Sequence, residues 1–292
     1  MKKIKATTSI RIIFILTILC MSLVFLTSCW VYFRIEGTHN ISGEELFGVS
    51  ADELLLYRER AERDDIEAQF MIAAIYLQNR NYEQAIYWYE RAARLGDIAS
   101  QLNLGHLHYG WQGIEQNFEQ ALYWFRRAAN QNAPTAQHNL GWMYSNGYGT
   151  VQSYEQALYW YRRAADQSYS RSQHNLGAMY YHGEGVEQCY EQAVFWYRKA
   201  AEQGHINAQS NMAWLYHHGF GVEQSDEQAA YWFRKAAEQG HSEAQNNLGW
   251  LYHQGLGVEQ SYAQAAYWYR KAIAQSNTQA RANLASLPAQ YR

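Results

Sequence analysis

Proline is nearly missing from this chain of 292 residues: there are 2. Proline removes a backbone donor and clashes inside helices, so its scarcity leaves long stretches free to be helical. Cysteine is thin too, with 3 residues, so no disulfide framework can staple the fold. Charge of neither sign dominates, with 24 Lys+Arg against 27 Asp+Glu. No basic stripe is available to neutralise a phosphate backbone, which argues against a nucleic-acid partner. What the chain holds in plenty is apolar and aromatic surface. Hydrophobic residues make up 48% and aromatics 16%, with 25 Tyr and 11 Trp, enough to bury a large core.

The one long apolar run lies at the N-terminus, where Lys2, Lys3, Lys5 and Arg11 precede Ile12 through Leu26. That order reads as an export signal, outside the fold proper. It ends in Leu26-Thr27-Ser28-Cys29, which is similar to a bacterial lipobox, whose cysteine sulfur receives a diacylglycerol before cleavage. Each buried acyl methylene adds roughly 0.8 kcal/mol of membrane attachment, so a multiply acylated Cys29 would hold firmly. The alternative is an uncleaved anchor, because apolar residues continue through Trp30-Val31-Tyr32-Phe33. The expectation is a signal over 1–28, a membrane-proximal linker over 29–49 and a folded part over 50–292. By resemblance to enterobacterial lipoprotein sorting, Trp30 rather than Asp after the cysteine implies the outer membrane of a Gram-negative envelope, facing the periplasm. Without the four basic signal residues, 20 Lys+Arg face 27 Asp+Glu, a balance of −7. With Cys20 in the signal and Cys29 lipidated, only Cys189 is left.

From there the chain repeats. Tyr87-Trp88-Tyr89, Tyr123-Trp124-Phe125, Tyr159-Trp160-Tyr161, Phe195-Trp196-Tyr197, Tyr231-Trp232-Phe233 and Tyr267-Trp268-Tyr269 recur every 36 residues, as do Gln101, Gln137, Gln173, Gln209 and Gln245. Each unit carries two helical stripes. Ala136, Leu140, Met143 and Tyr144 share one face of a first helix, A, and Ala157, Trp160, Tyr161 and Ala164 one face of a second, B. Gly-x-Gly loops such as Gly183-Glu184-Gly185 reverse the chain between them. Helix B opens on a capping box: Ser153 with Gln156, Ser225 with Gln228, Ser261 with Gln264, and Asn81 and Asn117 in the same slot. Cys189 occupies that slot in one unit and reads as a weak cap substitute rather than a nucleophile. Gly96, Gly204 and Gly240 read as left-handed C′ residues closing helix B.

The end units are worn. The first spans 32 residues from Gln69 to Gln101, with Gln78-Asn79-Arg80-Asn81 replacing the glycine loop. Before it, Ser50 to Asp64 reads as a degenerate helix B, capped by Ser50, with Leu56 and Tyr57 in the Trp-Tyr places. At the far end Ala280, Leu284 and Leu287 read as a lone helix A stopped by Pro288.

The pattern Gln245-Asn246-Asn247-Leu248-Gly249, Tyr252, Gly255-Leu256-Gly257-Val258, then Trp268 with Ala272, resembles the Sel-1-like repeat family, relatives of tetratricopeptide repeats with a longer loop. The likeness covers about residues 50–290. Trp111 at a loop glycine position and Ile273 at the second Ala of its pair are local departures. The resemblance implies an all-α, right-handed superhelical α/α solenoid of about six two-helix repeats with degenerate capping helices at both ends. It also implies an adaptor surface for another protein. Some similar lipoproteins act as immunity proteins against secreted phospholipase toxins. Cysteine-rich members have been credited with β-lactamase activity, but this chain lacks their regularly spaced cysteines.

The motifs of common catalytic sites are absent, among them His-Glu-x-x-His, Ser-x-x-Lys, Gly-x-Ser-x-Gly and the phosphate loop. His217-His218 is the most metal-like pair, but adjacent helical residues point about 100° apart and make a poor ligand set. No enzyme, cofactor, metal or small-molecule substrate is expected. A partner face is expected instead on helix A, at the residue after the Gly/Ala and the one three later: His106 with Tyr109, Trp142 with Ser145, Ala178 with Tyr181, Trp214 with His217, and Trp250 with His253. Such amphipathic aromatics suit interfaces, while their other reading is padding between repeats. The leading Tyr of each Tyr-Trp pair (Tyr123, Tyr159, Tyr231, Tyr267) reads as structural, because it recurs too uniformly to select one partner.

Overall fold

In the computed structural model of the chain, residues 51–110 and 114–292 are described, with side chains from Leu54 onward. The signal segment, Cys29, the linker, Ser50 and Trp111 lie outside the described residues. Among those described there are fourteen α-helices and no strand, and compact packing divides the chain at Leu95/Gly96 into two units.

The first unit holds α1 (Ala51–Glu62), α2 (Ile66–Gln78) and α3 (Tyr82–Arg94). Helix α1 is the worn helix B that the sequence suggests, and its apolar face is poorly covered: Leu55 is 59% and Leu56 54% exposed. Helix α2 starts on Asp65, whose side chain accepts from the Ala68 N–H, and α3 on Asn81, which accepts from Gln84 N–H.

The second unit runs through α4 (Ile98–His108), α5 (Phe118–Asn130), α6 (Pro134–Asn146), α7 (Tyr154–Asp166), α8 (Ser170–His182), α9 (Tyr190–Glu202), α10 (Ile206–His218), α11 (Asp226–Glu238), α12 (Ser242–Gln254), α13 (Tyr262–Ala274) and α14 (Thr278–Ala285). A short 3₁₀ turn, Ala289–Tyr291, follows Pro288. Even-numbered helices here are helix A of each repeat and odd-numbered ones helix B. Within this unit consecutive helices pack on one another, as in a solenoid. Both apolar stripes are buried: Ala136, Leu140 and Met143 on α6, and Ala157, Trp160, Tyr161 and Ala164 on α7. The repeat tryptophans fill the seams between repeats. Trp160 packs with α5 and α6, and Trp196 with Ala165 and Leu176, while Trp232 is only half-buried.

Two glycines of the repeat have separate causes. Gly183 ends α8 in the left-handed region at φ 73. Gly185, also at positive φ, lies against the previous helix B: a Cβ there would sit 2.7 Å from Tyr154 Cβ and 2.8 Å from its carbonyl carbon. The loop glycine therefore serves close approach as well as turning.

The capping box forms by half. Ser153 accepts from Gln156 N–H at 3.2 Å, but the Ser153 N–H donates to Tyr144 C=O at 2.9 Å rather than to the Gln156 side chain. Ser225 and Ser261 likewise donate to Tyr216 and Tyr252. The loop returns each cap to the last turns of its own helix A, so the backbone claims the donor. Cys189 sits at the cap position but makes no cap bond; its Sγ faces Glu191 Oε2 at 3.4 Å.

In the second unit the recurring glutamine is the polar bolt of each repeat. Gln173 is buried; its Nε2 donates to Ala165 C=O at 3.1 Å and its Oε1 accepts from Gln203 Nε2 at 2.6 Å. Gln209 with Gln239 and Gln245 with Gln275 repeat the pairing at 2.7 and 2.9 Å. A buried amide held on both ends is stable, and one held on a single end is costly. A second tie runs from helix B to the next helix A: Arg126, Arg198 and Arg234 donate to the hydroxyls of Tyr144, Tyr216 and Tyr252, and Arg162 to that of Tyr180.

Candidate partner-binding face

The helix-A residues singled out from the sequence do not share one environment. Trp142 and Trp214 are the open ones, 45% and 44% exposed. Trp142 Nε1 donates to Tyr109 OH at 3.2 Å, and the Tyr109 ring packs edge-on to Phe118 and Tyr148. Trp250 is half-buried, set between two core clusters, with its ring edge-on to His217 at 5.4 Å. Tyr109–Trp142 and His217–Trp250 are thus steps between successive A helices, each 33 residues apart. Ser145 and Ala178 are too small to continue the row, and among the described residues Tyr181 and Trp214 make no ring contact or hydrogen bond with each other. Tyr181 packs on Tyr190 at 5.5 Å and His253 on Tyr262 at 5.6 Å, each onto its own helix B. His106 is set inward, 5.0 Å from the Phe125 ring and 3.4 Å from Asn139 Nδ2, and burial lowers its pKa to about 4.

One pair escaped the reading of motifs. At the first position of helix B the repeats place Phe118, Tyr154, Tyr190 and Tyr262, but one places Asp226. There His217 Nδ1 and Asp226 Oδ1 lie 2.5 Å apart, a polar bond in place of the aromatic contact made by Tyr109–Phe118 and Tyr181–Tyr190. The break in the repeat was visible in the sequence; the partner was not. Among the described residues no group of three metal-ligating side chains assembles around it or elsewhere.

A row of half-buried imidazoles lies deeper in the same face. His138 sits 5.3 Å from Tyr169, with Nδ1 3.0 Å from Ser172 Oγ; His174 stacks on His205 at 4.7 Å. Burial, then the Arg171 charge, pushes His138 down to about 3; burial, then His174 and Arg171, pushes His205 down to about 3. His205 and His241 also cap α10 and α12, their Nδ1 atoms accepting from Ala208 and Ala244 N–H.

The leading tyrosines belong to another surface, that of helix B. Tyr123, Tyr159, Tyr231 and Tyr267 are 46–52% exposed, so they are not core. Each lies edge-on to its own Trp with a cation from the next turn over its ring, as Arg163 over Tyr159 and Lys271 over Tyr267. Helical i, i+4 spacing brings the cation there while leaving the outer edge of the ring in solvent.

The Sel1 repeat model matches residues 66–97, 98–132, 134–169, 170–205, 206–241 and 242–277. No curated protein matches the chain at a significant level. Among solved structures, an Escherichia coli protein described as c5321, a protective antigen present in uropathogenic strains displaying an SLR fold, is similar at 34% identity and TM-score 0.76. That likeness covers 78% of this chain and 50% of that one, so the chain spans half the length of this relative. A Sel1 repeat protein from Oxalobacter formigenes is similar at 28% identity and TM-score 0.67, over 76% of this chain and 89% of that one. The immunity protein PA5088 from Pseudomonas aeruginosa reaches 21% identity and TM-score 0.45, over 68% and 74%, too remote to bear on function. With six consecutive matched repeats, each a helix A followed by a helix B, the chain belongs to the Sel1 repeat family.

Proposed function

We propose that this protein is a non-enzymatic scaffold, tethered to the bacterial cell envelope through Cys29, that binds a protein partner along the helix-A face of its second unit. The observation that carries the reading is the pair of half-exposed indoles, Trp142 and Trp214, on a face whose neighbouring rings are otherwise tied down. Large amphipathic rings set in fixed surroundings bury area at little entropic cost, the usual make-up of binding hot spots. Sel1 repeats mediate protein–protein contact, and the six matched copies support that role here. The tether is supported by the basic and apolar leader that ends in Leu26-Thr27-Ser28-Cys29.

A photo-crosslinking residue placed at Trp142 or Trp214 in living cells tests the face. A discrete crosslinked partner, lost when Trp214, His217, Trp250 and His253 are changed together with helicity intact, is the expected result. Undiminished crosslinking in that variant rejects the face. For the tether, Cys29→Ser should abolish acyl labelling and release the chain from membranes.

A further inference from the structure

The helix-B surface of the second unit is open, and it repeats. Tyr123, Tyr159, Phe195, Tyr231 and Tyr267 stand one per repeat on α5, α7, α9, α11 and α13, all close to half exposed. A single exposed ring is ordinary, but a row of them is an aromatic patch of the kind that marks an interface. The charges beside the rings keep the same order. Four residues before each ring stands Glu119, Glu155, Glu191 or Glu227, with Ala263 in the last repeat. Four residues after it stands Arg127, Arg163, Lys199, Lys235 or Lys271, its cation 4.5–5.9 Å from the ring centre. This i, i+4 spacing puts acid, ring and base on one face, the charges about 6 Å along the helix to either side of the ring.

The charges have no counter-ion within the unit. The first unit pairs its own: Arg60 with Asp65 and Arg91 with Asp64 at 2.7 Å, and Arg94 with Glu90 at 2.8 Å. Among the described residues of the second unit, no Lys or Arg forms an ion pair with an Asp or Glu. A Glu and a cation eight residues apart on one helix stand about 12 Å apart and cannot meet. The helix dipole favours acids at the start of a helix and bases at its end, which explains their order. It does not explain a large ring midway between them in every repeat.

We infer that this face binds a second copy of the chain, the two faces related by a two-fold axis along the stack of repeats. That operation sets each helix B antiparallel to its counterpart and ring against ring. Because the two charges are equidistant from the ring, Glu155 of one copy then lies opposite Arg163 of the other. The same pairing recurs for Glu119 with Arg127, Glu191 with Lys199 and Glu227 with Lys235. A two-fold contact uses one surface twice, so that surface has to complement itself, as this one does. Spacing points the same way: a partner that engages several rungs at once needs the same repeat distance, and a second copy has it by construction. The area is adequate. A half-exposed ring leaves open about half of its roughly 150–250 Å², so the row offers roughly 400–600 Å² per copy before the flanking side chains are counted. A standard interface takes roughly 800 Å² per partner. An anionic membrane fits less well, because the row of glutamates would face it. This surface is separate from the helix-A face proposed above, and either reading can fail alone.

The test uses the full chain in cells that express it with two different epitope tags and a photo-crosslinking residue at Tyr159. Wild type should give a crosslinked species that carries both tags. Glu119→Lys, Glu155→Lys, Glu191→Lys and Glu227→Lys together make both arms of the face positive. Arg127→Glu, Arg163→Glu, Lys199→Glu and Lys235→Glu together make both arms negative. Each variant alone should lose most of the two-tag species, a drop of more than tenfold, with helicity intact. The two variants expressed together should regain it, because opposite charges meet again. Sedimentation of detergent-solubilised wild type should independently give twice the mass of the chain. A crosslink only to another protein or to lipid, variants that pair as wild type does, no recovery on mixing, or a monomer mass at micromolar concentration would each overturn the inference.

Discussion

Gln69 holds the place that Gln173 and Gln209 hold in later repeats, yet its Oε1 is buried without a hydrogen-bond partner. The reason is one residue. The helix-B C-cap is Gln131, Gln167, Gln203, Gln239 or Gln275 in the other repeats and Leu95 in the first. A leucine cannot donate. Leu95→Gln should supply the missing amide and stabilise the first unit by about 1 kcal/mol, read from urea unfolding against a Leu95→Ala control. Cys189 is the parallel case in the second unit. Ser153 and Ser225 accept a bond from the third residue on, and Cys189 does not. Cys189→Ser should restore the cap and add roughly 0.5–2 kcal/mol. An unchanged midpoint would mean that the Cys189 sulfur already serves.

At the scale of the helix, the unusual feature is capping by imidazole. His205 and His241 accept from N–H groups at the starts of α10 and α12, which only an unprotonated Nδ1 can do. Burial lowers both pKa values, His205 to about 3. A pKa below the unfolded value of about 6.5 means that protonation favours the unfolded chain. The stabilisation is therefore complete above pH 6.5 and is lost progressively as pH falls from there toward 3. His138, at about 3, and His106, at about 4, act in the same direction. Melting temperature should fall steadily between pH 6.5 and 5. His205→Asn keeps a capping acceptor without a proton to take up, and should flatten the slope. A slope unaltered by that change would place the acid sensitivity elsewhere.

At the scale of the whole molecule, stability is shared between neighbours. Trp196 fills the seam between α7, α8 and α9, so Trp196→Ala should cost about 3–5 kcal/mol. In a stack coupled from repeat to repeat by Gln173–Ala165 and Arg–Tyr ties, calorimetry should show one transition of the second unit moving down as a whole. A small separate early transition with the main one unmoved would show weak coupling.

The thirty-six-residue period, the two stripes, the glycine loops and the worn ends were all legible in the sequence. Each depends on local chemistry: helical spacing of apolar residues, positive φ, a cap one turn away. Tertiary structure decided what depends on a neighbour. It took the N–H of Ser153 for Tyr144 rather than for Gln156, and it turned Tyr123 and Tyr159 outward while setting His106 inward. Asp226 could be seen to break the pattern, but His217 as its partner required the loop to fold back. A cavity lined by Ser210, Phe233, Asn246 and Thr278 has the same origin, since side chains from four helices define it. A periodic sequence specifies the module; which surface groups meet, and where the packing leaves room, is settled only when modules stack.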